Sequence, residues 1–236
     1  MSSRRGPDLP YSVVAGVTPC SAGWLAASAK MQGSNFAPEP PKVYDTFLEV
    51  LNERPSFEAI VVNVPIGYRD APGLGVRRCD GEARALIGLR GAAVHNAPTR
   101  AVLSGSISWR EGGLDAVSAM LLPKYREVAA EMSPFRQRVV YEGNPELSFY
   151  QLNKDRPLRR SKQIEMGREE RRALLLEKLP GIEKVINAQI PRVLEKHLYD
   201  ASSLLWTARR VFGRAAKRLP ADAEWDSEGI RMEIVY

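Results

Sequence analysis

The spacing of apolar positions along the chain predicts alternating strands and helices. Two opening strands are expected at residues 11–17 and 24–31, joined by a tight turn at residues 18–23 where proline and glycine interrupt the pattern. The short continuous apolar run at residues 59–62 is typical of a strand covered on both faces. A strand, a helix and a further buried strand indicate an α/β layer structure.

Caps, helical spacing and alternation predict the other elements. Residues 35–41 are rich in proline and are expected to form a loop. An accessory helical segment is predicted at residues 106–133, with Gly112, Gly113 and Pro123 as interruptions. The remaining predicted helices are residues 43–52, 77–88, 144–152, 163–179 and 191–217, and the remaining predicted strands are residues 138–141 and 229–236.

Length and composition bound the class of protein. A chain of 236 residues with 44% hydrophobic content can bury one sizeable core, so we expect a flexible tail at residues 1–10 and a single domain at residues 11–236. Neither a signal peptide nor a membrane-spanning stretch is evident, and we expect a soluble, cytoplasmic protein. Cys20, Cys79, His95 and His197 lack the spacing of a zinc finger. The net charge of +6 slightly favours a polyanionic partner.

Two carboxylates lie where an apolar strand becomes a helix, within residues 139–149. A glutamate at the end of a strand, such as Glu142, is costly to bury without a partner. Glu146 has an ordinary alternative role, because Asn144-Pro145-Glu146 is typical of a helix start with a capping asparagine and an acid that complements the helix dipole. Both residues are candidates for a functional site.

Three further stretches extend this pattern: residues 16–24 (Gly-Val-Thr-Pro-Cys-Ser-Ala-Gly-Trp), residues 63–67 (Asn-Val-Pro-Ile-Gly) and Asp200-Ala201. Together with residues 139–149 they resemble family 429 of the domains of unknown function, which are predicted nucleases. The resemblance covers roughly residues 13–236. It implies a ribonuclease-H-like mixed sheet with helices on both faces, and a site that binds divalent ions, Mg²⁺ or Mn²⁺.

The resemblance also implies roles for individual acids. Glu142, Glu146 and Asp200 match the catalytic positions, Asp80 is expected nearby, and Glu142 and Asp200 are the expected metal ligands. Two further metal positions, usually aspartates in the family, hold Thr18 and Asn63 here. Asn144 stands at the family's histidine position and His197 at an additional aspartate position; His197 could simply pair with Asp200, one helical turn away.

Charge arithmetic makes these departures important. Two-metal cleavage of a phosphodiester needs several carboxylates around two divalent ions, which bring four positive charges. A hydroxyl at Thr18 and an amide at Asn63 remove two of the compensating negative charges. Both groups can bind a hard cation through oxygen, but only weakly. The sequence therefore predicts weak metal binding, one metal or none.

Basic residues form two groups. The first group resembles the family's Arg-x-Cys-Asp-x-x-x-Arg element at residues 77–84, which continues through Gly88 to Arg100. The second group is Lys154, Arg156, Arg159, Arg160 and Lys162, of which Lys162 matches the family pattern together with Ser161, Gly167 and Arg171. In a nuclease these side chains would hold phosphates. Alternatively, Asp80 and Arg84 pair along the helix and the second group is a solvated surface. The candidate nucleic-acid contacts are Arg78, Arg84, Arg90, Arg100, Arg159, Arg160 and Lys162.

Three functions follow as hypotheses. The first is a divergent metal-dependent nuclease acting on a nucleic-acid phosphodiester backbone, weakened at Thr18 and Asn63. The second is a catalytically inactive module that binds nucleic acid or protein. The third is a phosphotransferase of related fold, for which ATP binding would be the discriminating observation. The sequence does not distinguish DNA from RNA or indicate an oligomeric state.

Overall fold

The computed structural model describes residues 10–222 and 224–236, so nearly all of the predicted N-terminal tail lies outside the described residues. The strands are β1 (Ser12–Cys20), β2 (Gly23–Gln32), β3 (Asn35–Pro38), β4 (Lys42–Tyr44), β5 (Phe57–Val62), β6 (Val140–Glu142), β7 (Arg218–Leu219) and β8 (Ile234–Val235). The helices are α1 (Phe47–Leu51), α2 (Arg78–Ile87), α3 (Arg100–Ser104), α4 (Ala116–Glu131), α5 (Pro145–Leu152), α6 (Glu165–Lys178), α7 (Glu183–Ile186) and α8 (Glu195–Phe212). Short 3₁₀ helices form at Gly88–Ala93 and Arg136–Arg138.

Six strands form one mixed sheet. The order along the sheet is β3-β2-β1-β5-β6, and β4 pairs with the other end of β2. β2 runs antiparallel to β1, whereas β5 and β6 run parallel to it. The carboxyl ends of β1, β5 and β6 therefore meet at one edge of the sheet, which is where open α/β sheets hold their ligands. β7 and β8 form a separate antiparallel pair.

Helices cover both faces of this sheet, and the predicted mixed α/β fold is confirmed. On one face, α8 packs on β1, β2 and β5, and α5 and α6 pack beside α8. On the other face, α1 and α4 contribute to a second core with Val17, Trp24 and Val62. Successive residues of β1 point to opposite faces, so the central strand is buried from Val13 to Thr18. Among the helices of the described residues, none has the length and apolar character needed to cross a bilayer.

A glycine sets the distance between α8 and the central strand. A Cβ atom on Gly16 would lie 2.1 Å from the backbone nitrogen of Leu205 and 2.2 Å from the carbonyl oxygen of Ala201. No side chain fits there, because such contacts are far inside van der Waals range. The close approach brings the first turns of α8, including Asp200, to the end of β1 where Thr18 lies.

The opening hairpin differs from its prediction. β1 continues to Cys20, so only Ser21 and Ala22 connect it to β2, instead of the turn predicted at residues 18–23. Pro19 is tolerated because β5 ends its pairing opposite Val17, which leaves Pro19 without a neighbouring strand on that side. Thr18 is consequently a buried strand residue.

The loop predicted at residues 35–41 and the helix predicted at residues 43–52 are also wrong in part. β3 includes Pro38, which an edge strand accommodates because one side of its backbone needs no partner. β4 pairs with β2, and the helix begins only after Thr46, whose hydroxyl accepts a hydrogen bond from the Glu49 N–H at 3.3 Å.

Further differences concern the second half of the chain. The predicted strand at residues 229–236 pairs regularly only in β8, because Asp226 binds the backbone N–H groups of Glu228 and Ile230 and forms a turn. α8 is shorter than predicted at both ends. α4 continues through Pro123, whose neighbours Leu122 and Tyr125 are buried in the core. α3 and α7 were not predicted from the sequence.

Candidate functional site

A cleft of about 680 Å³ opens at the edge where β1, β5 and β6 end. Thr18 comes from β1, Asn63 follows β5, and Glu142 ends β6. Helices α2, α5 and α8 bring the remaining acids to the same cleft. The structure thus brings together every acid and metal position inferred from the sequence: Thr18, Asn63, Asp80, Glu142, Glu146 and Asp200.

The two neutral residues at the usual aspartate positions bind each other. The side-chain amide of Asn63 donates a hydrogen bond to the Thr18 hydroxyl at 3.2 Å. Thr18 is buried, with only 1% of its surface exposed. The pair therefore satisfies itself without an ion, at the place where the resemblance implies two carboxylates.

Arg77 binds two of the four acids. Its guanidinium donates to both carboxylate oxygens of Glu142, at 2.8 and 2.7 Å, and to both oxygens of Asp80, at 3.1 and 2.6 Å. The same side chain also donates to the carbonyl oxygens of Ile66 and Gly67. It is 3% exposed. Such a bidentate pair is among the strongest hydrogen-bonding arrangements in proteins.

Arg77 was not among the candidate site residues predicted from the sequence. Its position at the start of the Arg-x-Cys-Asp element was visible, but the neighbouring Arg78 was chosen as a phosphate contact. Arg78 is instead exposed on the outer side of α2, 3.3 Å from Glu82. The signal that could have identified Arg77 is its spacing to Asp80, which allows the two side chains to meet across one turn.

Arg171 binds the third acid. One guanidinium nitrogen donates to both oxygens of Glu146, at 2.6 and 2.8 Å, and Arg90 approaches the same carboxylate at 3.5 Å. Arg171 is completely buried and also donates to the carbonyl oxygen of Gly167. The predicted cap is confirmed as well, since the Asn144 side chain accepts from the Glu146 N–H at 2.9 Å. Arg171 was recognised in the sequence only as part of a pattern.

Asp200 pairs with Lys162 rather than with His197. The Lys162 ammonium donates to Asp200 Oδ2 in a short hydrogen bond. His197 instead accepts the Leu194 N–H at 3.2 Å and closes the first turn of α8, so the suggested pairing with Asp200 is wrong. Burial lowers the pKa of His197, against the nearby Asp200 carboxylate, which raises it. The imidazole is therefore neutral at neutral pH.

The predicted basic contacts divide into two sets. Arg90 and Lys162 line the cleft, and so does Lys196, which was not predicted from the sequence. Arg159 and Arg160 are exposed outside the cleft, where their backbone N–H groups approach the Glu170 carboxylate at 3.4 Å. Of the second basic group, only Lys162 reaches the site.

Arg84 and Arg100 have structural contacts outside the cleft. Arg84 donates to the carbonyl oxygen of Val94 at 2.8 Å and to the Asn96 side chain, so the alternative in which it pairs with Asp80 is also wrong. Arg100 binds the buried Asp226 carboxylate at 2.6 Å. Arg84 holds the loop that follows α2, Arg100 holds the turn at Asp226, and neither side chain lines the cleft.

The residues present do not fit a two-metal centre. The four cleft acids already contact basic side chains, and Thr18 and Asn63 add no charge. Across residues 10–222 and 224–236, no group of three or more acidic, histidine or cysteine side chains is arranged to hold an ion. The cleft acids are Asp80, Glu142, Glu146 and Asp200, and the basic side chains that contact them or line the cleft are Arg77, Arg90, Arg171, Lys162 and Lys196.

Glu142 gives the site a pH dependence. Burial raises the pKa of Glu142 to about 7, against the Arg77 guanidinium and the Ile66 N–H, which lower it. Since the folded pKa lies above the ordinary value of 4.5, the stabilising contribution is complete below pH 4.5 and is lost as the pH rises through about 7.

A Glu142→Gln variant tests this dependence. Between pH 5 and pH 8 the native protein should lose about 2–3 kcal/mol of unfolding free energy relative to the variant, because glutamine cannot ionise. Urea unfolding of both proteins at several pH values measures the difference. Parallel pH profiles would show that Glu142 keeps its ordinary pKa in the fold.

Comparison with known proteins identifies a family and nothing more specific. The family model described as "Protein of unknown function (DUF429)" matches residues 16–225, nearly the whole chain. No curated protein and no solved structure matches the chain significantly. The ribonuclease-H-like assignment therefore stays a prediction that rests on the resemblance. Because the matched range includes Thr18, the four cleft acids and all of α8, this chain belongs to family 429 of the proteins of unknown function.

Proposed function

We propose that the cleft binds the phosphodiester backbone of a nucleic acid through its own basic side chains, and that metal-dependent hydrolysis at this site is weak or lost. The observation that carries the proposal is the pairing of every cleft acid with a basic residue: Arg77 with Glu142 and Asp80, Arg171 with Glu146, and Lys162 with Asp200. A site neutralised in this way attracts an anion more readily than a divalent cation.

The excess of positive charge supports an anionic ligand. Five basic side chains accompany four acids, and Glu142 becomes neutral as the pH falls through about 7. Of these five cations, Arg90 and Lys196 have the longest contacts with other side chains. Arg90 lies 3.5 Å from the Glu146 carboxylate, and Lys196 lies 3.5 Å from the Gln163 side chain. These two are therefore the side chains best able to reach a phosphate.

The other two functions have less support from the site. A fully active two-metal nuclease needs negative charge where Thr18 and Asn63 bind each other. If Mg²⁺ or Mn²⁺ binds, we expect it to do so weakly. A phosphotransferase would need to hold the phosphates of ATP, and the glycine-rich loop at residues 67–75 lacks the P-loop lysine.

A pair of double variants tests whether binding occurs in the cleft. Arg90→Met with Lys196→Met should weaken binding of a labelled oligonucleotide, and should flatten the slope of log K against log salt by about 1.4, since each lost contact with a single strand contributes about 0.7. Arg159→Met with Arg160→Met removes the same charge outside the cleft and serves as the control. Filter binding at several salt concentrations measures both slopes.

Either of two results would contradict the proposal. One is the absence of salt-sensitive binding of the native protein to DNA or RNA. The excess positive charge would then only hydrate the protein surface. The other is a larger loss of binding in the Arg159 and Arg160 variant than in the cleft variant. The second result would move the contact surface to the exposed basic segment before α6.

A further inference from the structure

The two sides of the cleft differ in character. α4 contributes Val117, Met120 and Leu121, and it belongs to the layer on one face of the sheet. Met120 is 73% exposed and has no polar group to present. The other side is basic: Lys196 lies in the first turn of α8, which packs on the other face of the sheet, and Lys162 binds Asp200 of the same helix. A ligand that fills the cleft therefore combines a flat or apolar part with an anionic part.

Asp200 adds a third requirement. Only 3% of the residue is exposed, and its Oδ1 atom is buried and accepts no hydrogen bond within residues 10–222 and 224–236. The other oxygen binds Lys162. Leaving a buried carboxylate oxygen without a donor is costly. Since Asp200 lines the cleft, the missing donor is expected on the ligand.

Arg90 presents the complementary group. Its buried Nε lies 3.5 Å from a Glu146 carboxylate oxygen without forming a hydrogen bond, and within the described part of the chain it donates to no other acceptor. The side chain lines the same cleft as Asp200. The ligand thus supplies an acceptor, as a phosphate oxygen does, in addition to the donor that Asp200 requires.

We propose that the occupant is one nucleotide of a single-stranded RNA, with its base on the α4 side and its 2′-hydroxyl donating to Asp200 Oδ1. This inference rests on the proposed function and names its substrate class. In RNA the 2′-hydroxyl is on the carbon next to the one that bears the 3′-phosphate. Asp200 and Lys162 contact each other, so an acceptor for the hydroxyl and a cation for the phosphate are neighbours in the cleft, as the hydroxyl and the phosphate are on the ribose.

The apolar side of the cleft favours a single-stranded ligand over a duplex. Bases of a duplex are stacked and paired inside it, whereas unstacked bases of a single strand can pack against protein side chains. Methionine is suited to such a contact, because its thioether is polarisable and its side chain adapts to irregular surfaces. Met120 is therefore expected to pack against a base rather than to bind a specific base edge.

Native protein can test the role of the hydroxyl without a substitution near Asp200. Fluorescence anisotropy would compare single-stranded RNA, DNA and 2′-fluoro RNA of one sequence, in EDTA and at equal salt. RNA should bind roughly tenfold more tightly than DNA, because a hydrogen bond to a charged acceptor is gained. The 2′-fluoro strand keeps an RNA-like sugar but lacks the donor, and should bind as weakly as DNA.

Neutral substitutions test the apolar side. Met120→Ser should weaken binding of single-stranded RNA severalfold without changing the salt slope. Leu74→Ser is the control, since Leu74 is 56% exposed on a loop outside the cleft.

The outcomes separate this inference from the proposed function. Salt-sensitive binding with equal affinity for RNA, DNA and 2′-fluoro RNA would overturn the inference and leave the proposed function standing. Duplex RNA that binds as tightly as the single strand, or a Leu74→Ser effect equal to that of Met120→Ser, would also overturn it. Absence of salt-sensitive binding to every strand would overturn the proposed function itself.

Discussion

Replacing Arg77 by methionine should lower the free energy of unfolding by about 3–5 kcal/mol, a large fraction of the roughly 5–15 kcal/mol that stabilises a typical domain. The guanidinium is the shared partner of Glu142 and Asp80, and all three side chains are at most 6% exposed. Its loss leaves two carboxylates without their cation in a buried site. Urea or thermal unfolding followed by circular dichroism measures the effect.

Two further variants separate charge pairing from general damage to the fold. Arg78→Met removes the neighbouring charge at an exposed position, and should change stability by less than about 0.5 kcal/mol. Adding Asp80→Asn and Glu142→Gln to Arg77→Met should recover much of the lost stability, because no unpaired carboxylate remains. Equal stability of the Arg77→Met and Arg78→Met proteins would refute the role assigned to Arg77.

Changing Thr18 and Asn63 together to aspartate should create divalent-ion binding and raise nuclease activity by roughly tenfold or more, because the negative charge that two-metal chemistry requires is restored. The two side chains lie within hydrogen-bond distance of each other, so their carboxylates would be close enough to share an ion. Without an ion they repel each other, and the variant should be less stable than the native protein.

Three measurements test this variant: calorimetric titration with Mg²⁺ or Mn²⁺, thermal unfolding with and without the ion, and cleavage of single- and double-stranded substrates. The ion should raise the melting temperature of the double variant and leave that of the native chain nearly unchanged. Thr18→Asn is a control of similar size that adds no charge. Brisk Mg²⁺-dependent cleavage by the native chain, unimproved in the double variant, would show that other residues hold the metal.

Local patterns predicted much of the fold. Strand β5 was evident as a continuous apolar run, and α5 from its Asn-Pro-Glu start, because each depends on neighbours in the sequence. The pairing of an edge strand depends on tertiary structure. The prolines of residues 35–41, including Pro38, therefore led to the prediction of a loop where β3 forms. The start of α8 was placed too early because only the tertiary structure shows that Leu194 is extended.

The candidate site was predictable as a set of positions but not as a set of interactions. The resemblance indicated Glu142, Glu146 and Asp200, and the structure places all three in one cleft. It did not indicate that Arg77 and Arg171 neutralise two of them, because a buried arginine contacts residues 65 and 25 positions away and leaves no local periodicity. These long-range pairs change the expected ligand from a divalent cation to an anion.

The account is tested most directly by the affinity for a labelled single-stranded RNA, measured by anisotropy in EDTA and in Mg²⁺ at matched ionic strength. Binding through the protein's own cations requires no metal, so we predict dissociation constants that agree within about twofold, with little cleavage of the strand in Mg²⁺. Binding that appears only with Mg²⁺ and is accompanied by rapid cleavage would contradict the account.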